Sequence, residues 1–130
     1  MSNHTVKRVS EMEAIFHGSF KRAGADLDVE SFGMNVIDMP PNADQHPEHD
    51  HSEKGEEEVY IALRGSGRIV VDGEDVALDA DTMVRVAATA RRKVYAGPEG
   101  LRLLVVGGVP GGPYSRSEMF SKGGPDPTAK

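Results

Sequence analysis

Cysteine is absent from this chain, which excludes disulfides, zinc–thiolate centres and thiol nucleophiles. Basic charge is scarce: 15 Lys and Arg stand against 21 Asp and Glu, for a formal net charge of −6. A field of that sign repels phosphate backbones and anionic lipid, so neither nucleic acid nor a membrane surface is an expected partner. Long apolar runs are missing too. Runs such as Leu103 to Val106 are far below the ~20 residues a membrane-spanning helix needs. The beginning of the chain, with Lys7, Arg8, Glu11 and Glu13, shows no apolar signal-peptide core. A cytoplasmic protein is the expectation. Neither G-x-x-x-x-G-K-[S/T] nor G-x-G-x-x-G occurs, so nothing suggests nucleotide binding. His46-Pro47-Glu48-His49 has the wrong order for a metalloprotease H-E-x-x-H, and its proline opposes the helix that motif needs.

What is present reads as short strands. At 130 residues the chain is one domain, long enough to bury a core without covalent staples. Ser31–Met39 alternates in polarity as a strand does, and Pro40-Pro41-Asn42 stops it. Val59–Leu63 is apolar on both faces, as a strand buried on both sides would be. Gly65-Ser66-Gly67 and Gly97-Pro98-Glu99-Gly100 read as turns, and Asp72-Gly73 is the strongest short hairpin signal in the chain. Strands are expected at Arg68–Val71, Asp75–Leu78, Thr82–Val86, Arg91–Tyr95 and Leu101–Val106, a spacing that implies an all-β barrel or sandwich. Residues 1–30 read as an N-terminal extension, loose to Thr5. A short helix is expected in it, since Ser10 and Glu13 have capping-box spacing and Met12, Ile15 and Phe16 form an apolar stripe. Residues 31–114 form the barrel, and residues 115–130 read as a disordered Gly/Pro/Lys tail.

The densest chemistry lies between Gln45 and Gly65. His46, His49 and His51 fall within six positions, ahead of Glu56, Glu57 and Glu58. Imidazole with carboxylate is a donor set for divalent transition metals. On an extended backbone His49 and His51 point the same way, roughly 6–7 Å apart, and Glu58 on the following strand supplies a third ligand. Pro47 and the odd spacing set His46 off that face, so it is the lesser candidate. The three glutamates read as a solvated run with one member inward. Tyr60 shares the face of Glu58 and is expected in the same pocket.

Those residues resemble the first motif of the cupin superfamily: His49-x-His51, an acidic spacer, then Glu58 and Gly65 with six residues between them. The spacer SEKGEE is longer than the family's usual three or four residues. The likeness spans roughly residues 31–107 and is nearest to small single-domain cupins. It implies a jelly-roll β-barrel, commonly a homodimer, that binds a small-molecule ligand or substrate. The second cupin motif ends in a histidine that supplies a fourth ligand. Here Asp81 is kept, the histidine position falls at or near Arg92, and no histidine follows His51.

Two readings of the site follow. In one, His49, His51 and Glu58 hold iron, zinc, manganese or nickel with open positions, and Arg91 or Arg92 grips a small anionic ligand by a bidentate contact. In the other, Arg92 pairs with Glu58 and the barrel is a non-catalytic binding or sensing module without a full metal site.

Overall fold

The computed structural model describes residues 3–129; Met1, Ser2 and Lys130, parts of the two ends expected to be loose, lie outside the described residues. The strands are β1 (Ala14–Ile15), β2 (Phe20–Lys21), β3 (Gly33–Met39), β4 (Glu57–Val71), β5 (Glu74–Leu78), β6 (Met83–Val86) and β7 (Arg92–Gly108). One short helix, α1 (Ala23–Asp26), and two 3₁₀ turns at Val9–Glu11 and Glu118–Phe120 complete the elements. A seven-stranded antiparallel sheet runs β1-β2-β3-β7-β4-β5, with β6 also on β4. This is the expected all-β jelly-roll barrel. No helix among the described residues is long and apolar enough to cross a membrane.

The barrel is organised by two long strands where the sequence suggested four short ones. β4 and β7 pair antiparallel from Glu57↔Gly108 to Val71↔Arg92, with register shifts between Ala62 and Arg64 and between Gly65 and Gly67. Both expected glycine turns lie inside these strands. The backbone at Gly65 and Gly100 is left-handed (φ 76° and 82°), and a Cβ on Gly65 would run into the Gly100 carbonyl. Glycine on both sides lets the ribbon bend sharply while pairing continues, and this makes a barrel corner out of what read as chain reversals. The Asp72-Gly73 hairpin is as expected, with positive φ at both residues (47° and 85°).

Side chains alternate across the sheet. Tyr60, Ile69, Val94, Leu103 and Val105 point into a core joined by Ile37, Leu78 and Val86. The outer side of Val59–Leu63 is less covered than expected: Val59 and Ile61 are half-buried, and Leu63 is 49% exposed.

Both ends of the chain depart from expectation. The helix forms at Ala23–Asp26 rather than after Ser10. Phe16, His17 and Gly18 all take positive φ, which turns the chain from β1 into β2 and is incompatible with a helix there. Glu13, read as the capping partner, instead accepts bonds from the Arg22 guanidinium and the Gly123 amide. Residues 115–129 pack onto this hairpin instead of trailing away. Arg22 is 2% exposed and donates to the carbonyls of Met119 (2.8 Å), Gly124 (3.0 Å) and Pro125 (3.0 Å). The Phe16 amide donates to Asp126 and the His17 amide to Thr128. Composition alone does not show these bonds, because they join residues about a hundred positions apart.

Candidate metal centre and its cavity

The backbone from His49 to His51 is fastened to the chain leading into β7. His49 and Arg92 exchange backbone hydrogen bonds of 3.0 and 2.9 Å, and the His51 amide donates to Ala88 O at 2.8 Å. Glu58 enters from the start of β4, opposite Val86 on β6 and Gly107 on β7. These attachments bring together the three residues expected as ligands. One donor atom from each of His49, His51 and Glu58 lies within 4.8 Å of the others, so the group could hold a metal ion. The rings of His49 and His51 meet edge to face with centroids 4.9 Å apart.

The polar contacts prepare the group for a cation. His49 Nδ1 is 3.0 Å from Pro47 O; a carbonyl only accepts, so Nδ1 carries the proton and Nε2 presents its lone pair. His51 Nε2 stands 3.1 Å from Glu58 Oε1 but is not aligned as a hydrogen bond, and this buried nitrogen has no hydrogen-bond partner among the described residues. Buried polar atoms are seldom left so. Glu58 Oε1 accepts from Tyr60 Oη (2.8 Å) and Arg92 Nη1 (2.9 Å), while Oε2 makes no hydrogen bond among the described residues. Burial pushes the Glu58 carboxyl up, but His51, Tyr60 and Arg92 outweigh it and hold the group below the usual carboxylate range. Burial, with the neighbouring His51 and Arg92, depresses His49 against the opposing pull of its Pro47 bond and Glu58. His49 is thus biased to the neutral imidazole and Glu58 to the anionic carboxylate, the protonation states that metal binding requires.

The other candidates are placed as follows. Tyr60 is on the Glu58 face, 2% exposed, with its hydroxyl on Glu58. Arg92 is fully buried, with Nη1 on Glu58 and Nη2 on Ala87 O. Arg91, one residue back, points the opposite way and pairs at the surface with Glu48 and Asp50, each at 3.6 Å. The bidentate clamp expected of one of these arginines is therefore not built: one faces outward and the other is engaged internally. His46 lines the same cavity and stacks on Phe20 at 6.2 Å with 8° between the planes. Burial lowers its pKa to about 4. It stands outside the donor trio, as its spacing suggested.

Glu56 is the residue that the sequence reading missed. Two positions before Glu58, it also faces inward and lines the cavity, while Glu57 turns out to Arg85. Strand parity contained that signal. Burial first, and then the Glu58 charge, raises the Glu56 carboxyl above its ordinary value.

The trio opens into a cavity of about 330 Å³. One wall is apolar, made by Phe16 and Phe20 from the N-terminal hairpin and by Met119 and Phe120 from the C-terminal segment. No motif marks these four, because the wall exists only once the two ends of the chain meet. A hollow of about 500 Å³ adjoins it and shares Phe16, Ile37, His46 and Pro47.

The fold and site together define an antiparallel β-barrel in which a His-x-His and a glutamate meet as a group that could hold a metal ion. The chain belongs to the cupin family: the Cupin_2 model, described as a cupin domain, matches residues 35–107. Among solved structures it is similar to a cupin protein from Bacteroides fragilis (TM-score 0.68, 24% identity), over 90% of this chain and 93% of that one. It is similar also to a Cupin 2 conserved barrel domain protein from Salinispora arenicola, with TM-score 0.51 and 25% identity over 60% of this chain and 63% of that one. The Cnp3 cupin domain of Schizosaccharomyces pombe aligns with TM-score 0.56 and 20% identity over 64% of this chain and 59% of that one. No curated protein matches the chain.

Proposed function

We propose that this cupin binds one divalent transition metal through His49, His51 and Glu58 and acts on a small anionic molecule in the adjoining cavity. The observation that carries the reading is His51 Nε2, buried and 3.1 Å from Glu58 Oε1 without the alignment of a hydrogen bond, grouped with His49 and Glu58. A divalent ion bound there would supply a Lewis acid with positions open to water or substrate. The chain's own residues do the rest. Pro47 O fixes the tautomer of His49; Tyr60 and Arg92 keep Glu58 ionised and oriented; burial disfavours the charged form of His49. Glu58 and Arg92 offset one another, so the ion would present positive charge at the donor atoms for an anionic ligand to meet, while Asp50, Glu53 and Glu56 on the lining keep the rest of the cavity negative.

The second reading, a binding or sensing cupin without a metal, draws on the 2.9 Å Arg92–Glu58 pair, which satisfies the carboxylate by itself. Elemental analysis of purified protein beside His49→Ala separates the two. Near-stoichiometric iron, zinc, manganese or nickel in wild type, lost in the variant, supports the metal reading; equally little in both refutes it. The proposal also places the protein in the cytoplasm as a homodimer. Exposed Leu63 (49%) and Met83 (70%) lie on one outer face of neighbouring strands and offer a second copy an apolar patch. A monomer mass in sedimentation equilibrium would remove the dimer.

A further inference from the structure

The cavity lining has two parts of opposite character, with His46 between them (ring centroids 6.2 Å from Phe20 and 6.0 Å from His49). One part is the donor trio with the Glu58–Arg92 pair. In the other, aromatic rings are packed on each other and present an apolar surface. Phe20 stacks on Phe120 at 5.1 Å and 21°, Phe16 meets Phe20 edge-on at 5.8 Å, and Met119 lies beside them on the lining. This wall joins residues a hundred positions apart, and a buried guanidinium fastens it. Three of the Arg22 nitrogens are bonded to the C-terminal segment and to Glu13. A tail without a role in the cavity has no need of such an attachment, whereas a wall that contacts a ligand must be held in place.

The size and charge of the cavity narrow the ligand further. Its volume of about 330 Å³ is at the small end of the ~300–1,000 Å³ range of small-molecule pockets, which suits one ring with a short substituent. Arg91 is outside, Arg92 is engaged, and Lys54 on the lining is turned to Ser115 at 3.4 Å, so with the ion bound the negative group of a ligand belongs with the donor trio and its apolar body on the aromatic wall.

Building on the metal reading above, we propose that the ligand is an aromatic carboxylic acid, with its carboxylate at the His49–His51–Glu58 trio and its ring against Phe20, Met119 and Phe120.

Calorimetric titration of zinc-loaded protein with phenylacetate and with acetate tests this. Burial of the ring should make phenylacetate bind about tenfold or more tightly than acetate. Phe120→Ala should cut that preference several-fold with zinc stoichiometry unchanged, and Phe120→Leu should keep it within about threefold. Equal affinities in wild type, or a preference that survives Phe120→Ala, would overturn the proposal. If wild type takes up no zinc, the metal reading falls by itself. Benzyl alcohol titrated into the metal-free protein then decides the wall: saturable binding weakened by Phe120→Ala supports an aromatic ligand, and its absence overturns one.

Discussion

Replacing Arg92 by methionine tests how the carboxylate of the site is held. Arg92 is fully buried and Glu58 is 8% exposed, so the pair has little solvent to fall back on. Removing the guanidinium deletes a 2.9 Å charged bond and leaves Glu58 with the Tyr60 hydroxyl and the nearby His51 ring. Breaking a buried pair from one side costs about 3–5 kcal/mol, because the remaining charge stays desolvated. A domain of this size should then melt roughly 10–15 °C lower. Arg92→Met with Glu58→Leu removes both charges and should recover at least half of the loss. The assay is urea and thermal unfolding of metal-free protein at neutral pH, with all variants in one buffer. A loss below about 1 kcal/mol for Arg92→Met, or a double variant no better than the single one, would refute the argument. Arg92 would then be free for the ligand-binding role that the sequence suggested.

Three further outcomes follow from the same geometry. Tyr60→Phe keeps the ring and removes one charged hydrogen bond on Glu58, so urea unfolding should show a loss of about 1.5–3 kcal/mol. His46 and His49 titrate below their ordinary value when folded, His46 at about 4, so below pH ~6.5 the unfolded chain takes up protons that the native state refuses. Stability of the metal-free protein is therefore full above that pH and falls towards pH 4. Chemical denaturation should lose about 1–2 kcal/mol over that window, since both rings are partly solvated; a flat profile would contradict the burial of these rings. Arg22→Met strands the carbonyls of Met119, Gly124 and Pro125, so limited proteolysis should cut after Tyr114 many times faster than in wild type. An unchanged digest would mean that Arg22 does not hold the segment.

The parts legible in the sequence are those set by local chemistry. Strand β3 ends at Pro40 as expected, Asp72-Gly73 makes its hairpin, and the donor trio follows from period-two geometry plus the neighbouring strand. The parts that were not legible depend on what a residue meets across space. Gly65 and Gly100 bend two continuous strands because they face each other, although each alone reads as a turn. Glu13 is drawn from its local cap by a buried arginine nine residues on. The Phe16–Phe20–Phe120 wall joins the two segments with least pattern of their own, one of them read as disordered. Arg91 and Arg92 could not be told apart until the register of β7 fixed which one points inward.

Zinc titration into metal-free protein, beside His51→Ala, bears most directly on the central claim. Wild type should saturate at one zinc per chain and gain about 2.7 kcal/mol of stability at a hundredfold excess over Kd, and His51→Ala should lose both the saturation and the gain. Saturable one-to-one binding that persists in His51→Ala, or none in wild type, would contradict a metal centre built on His49, His51 and Glu58.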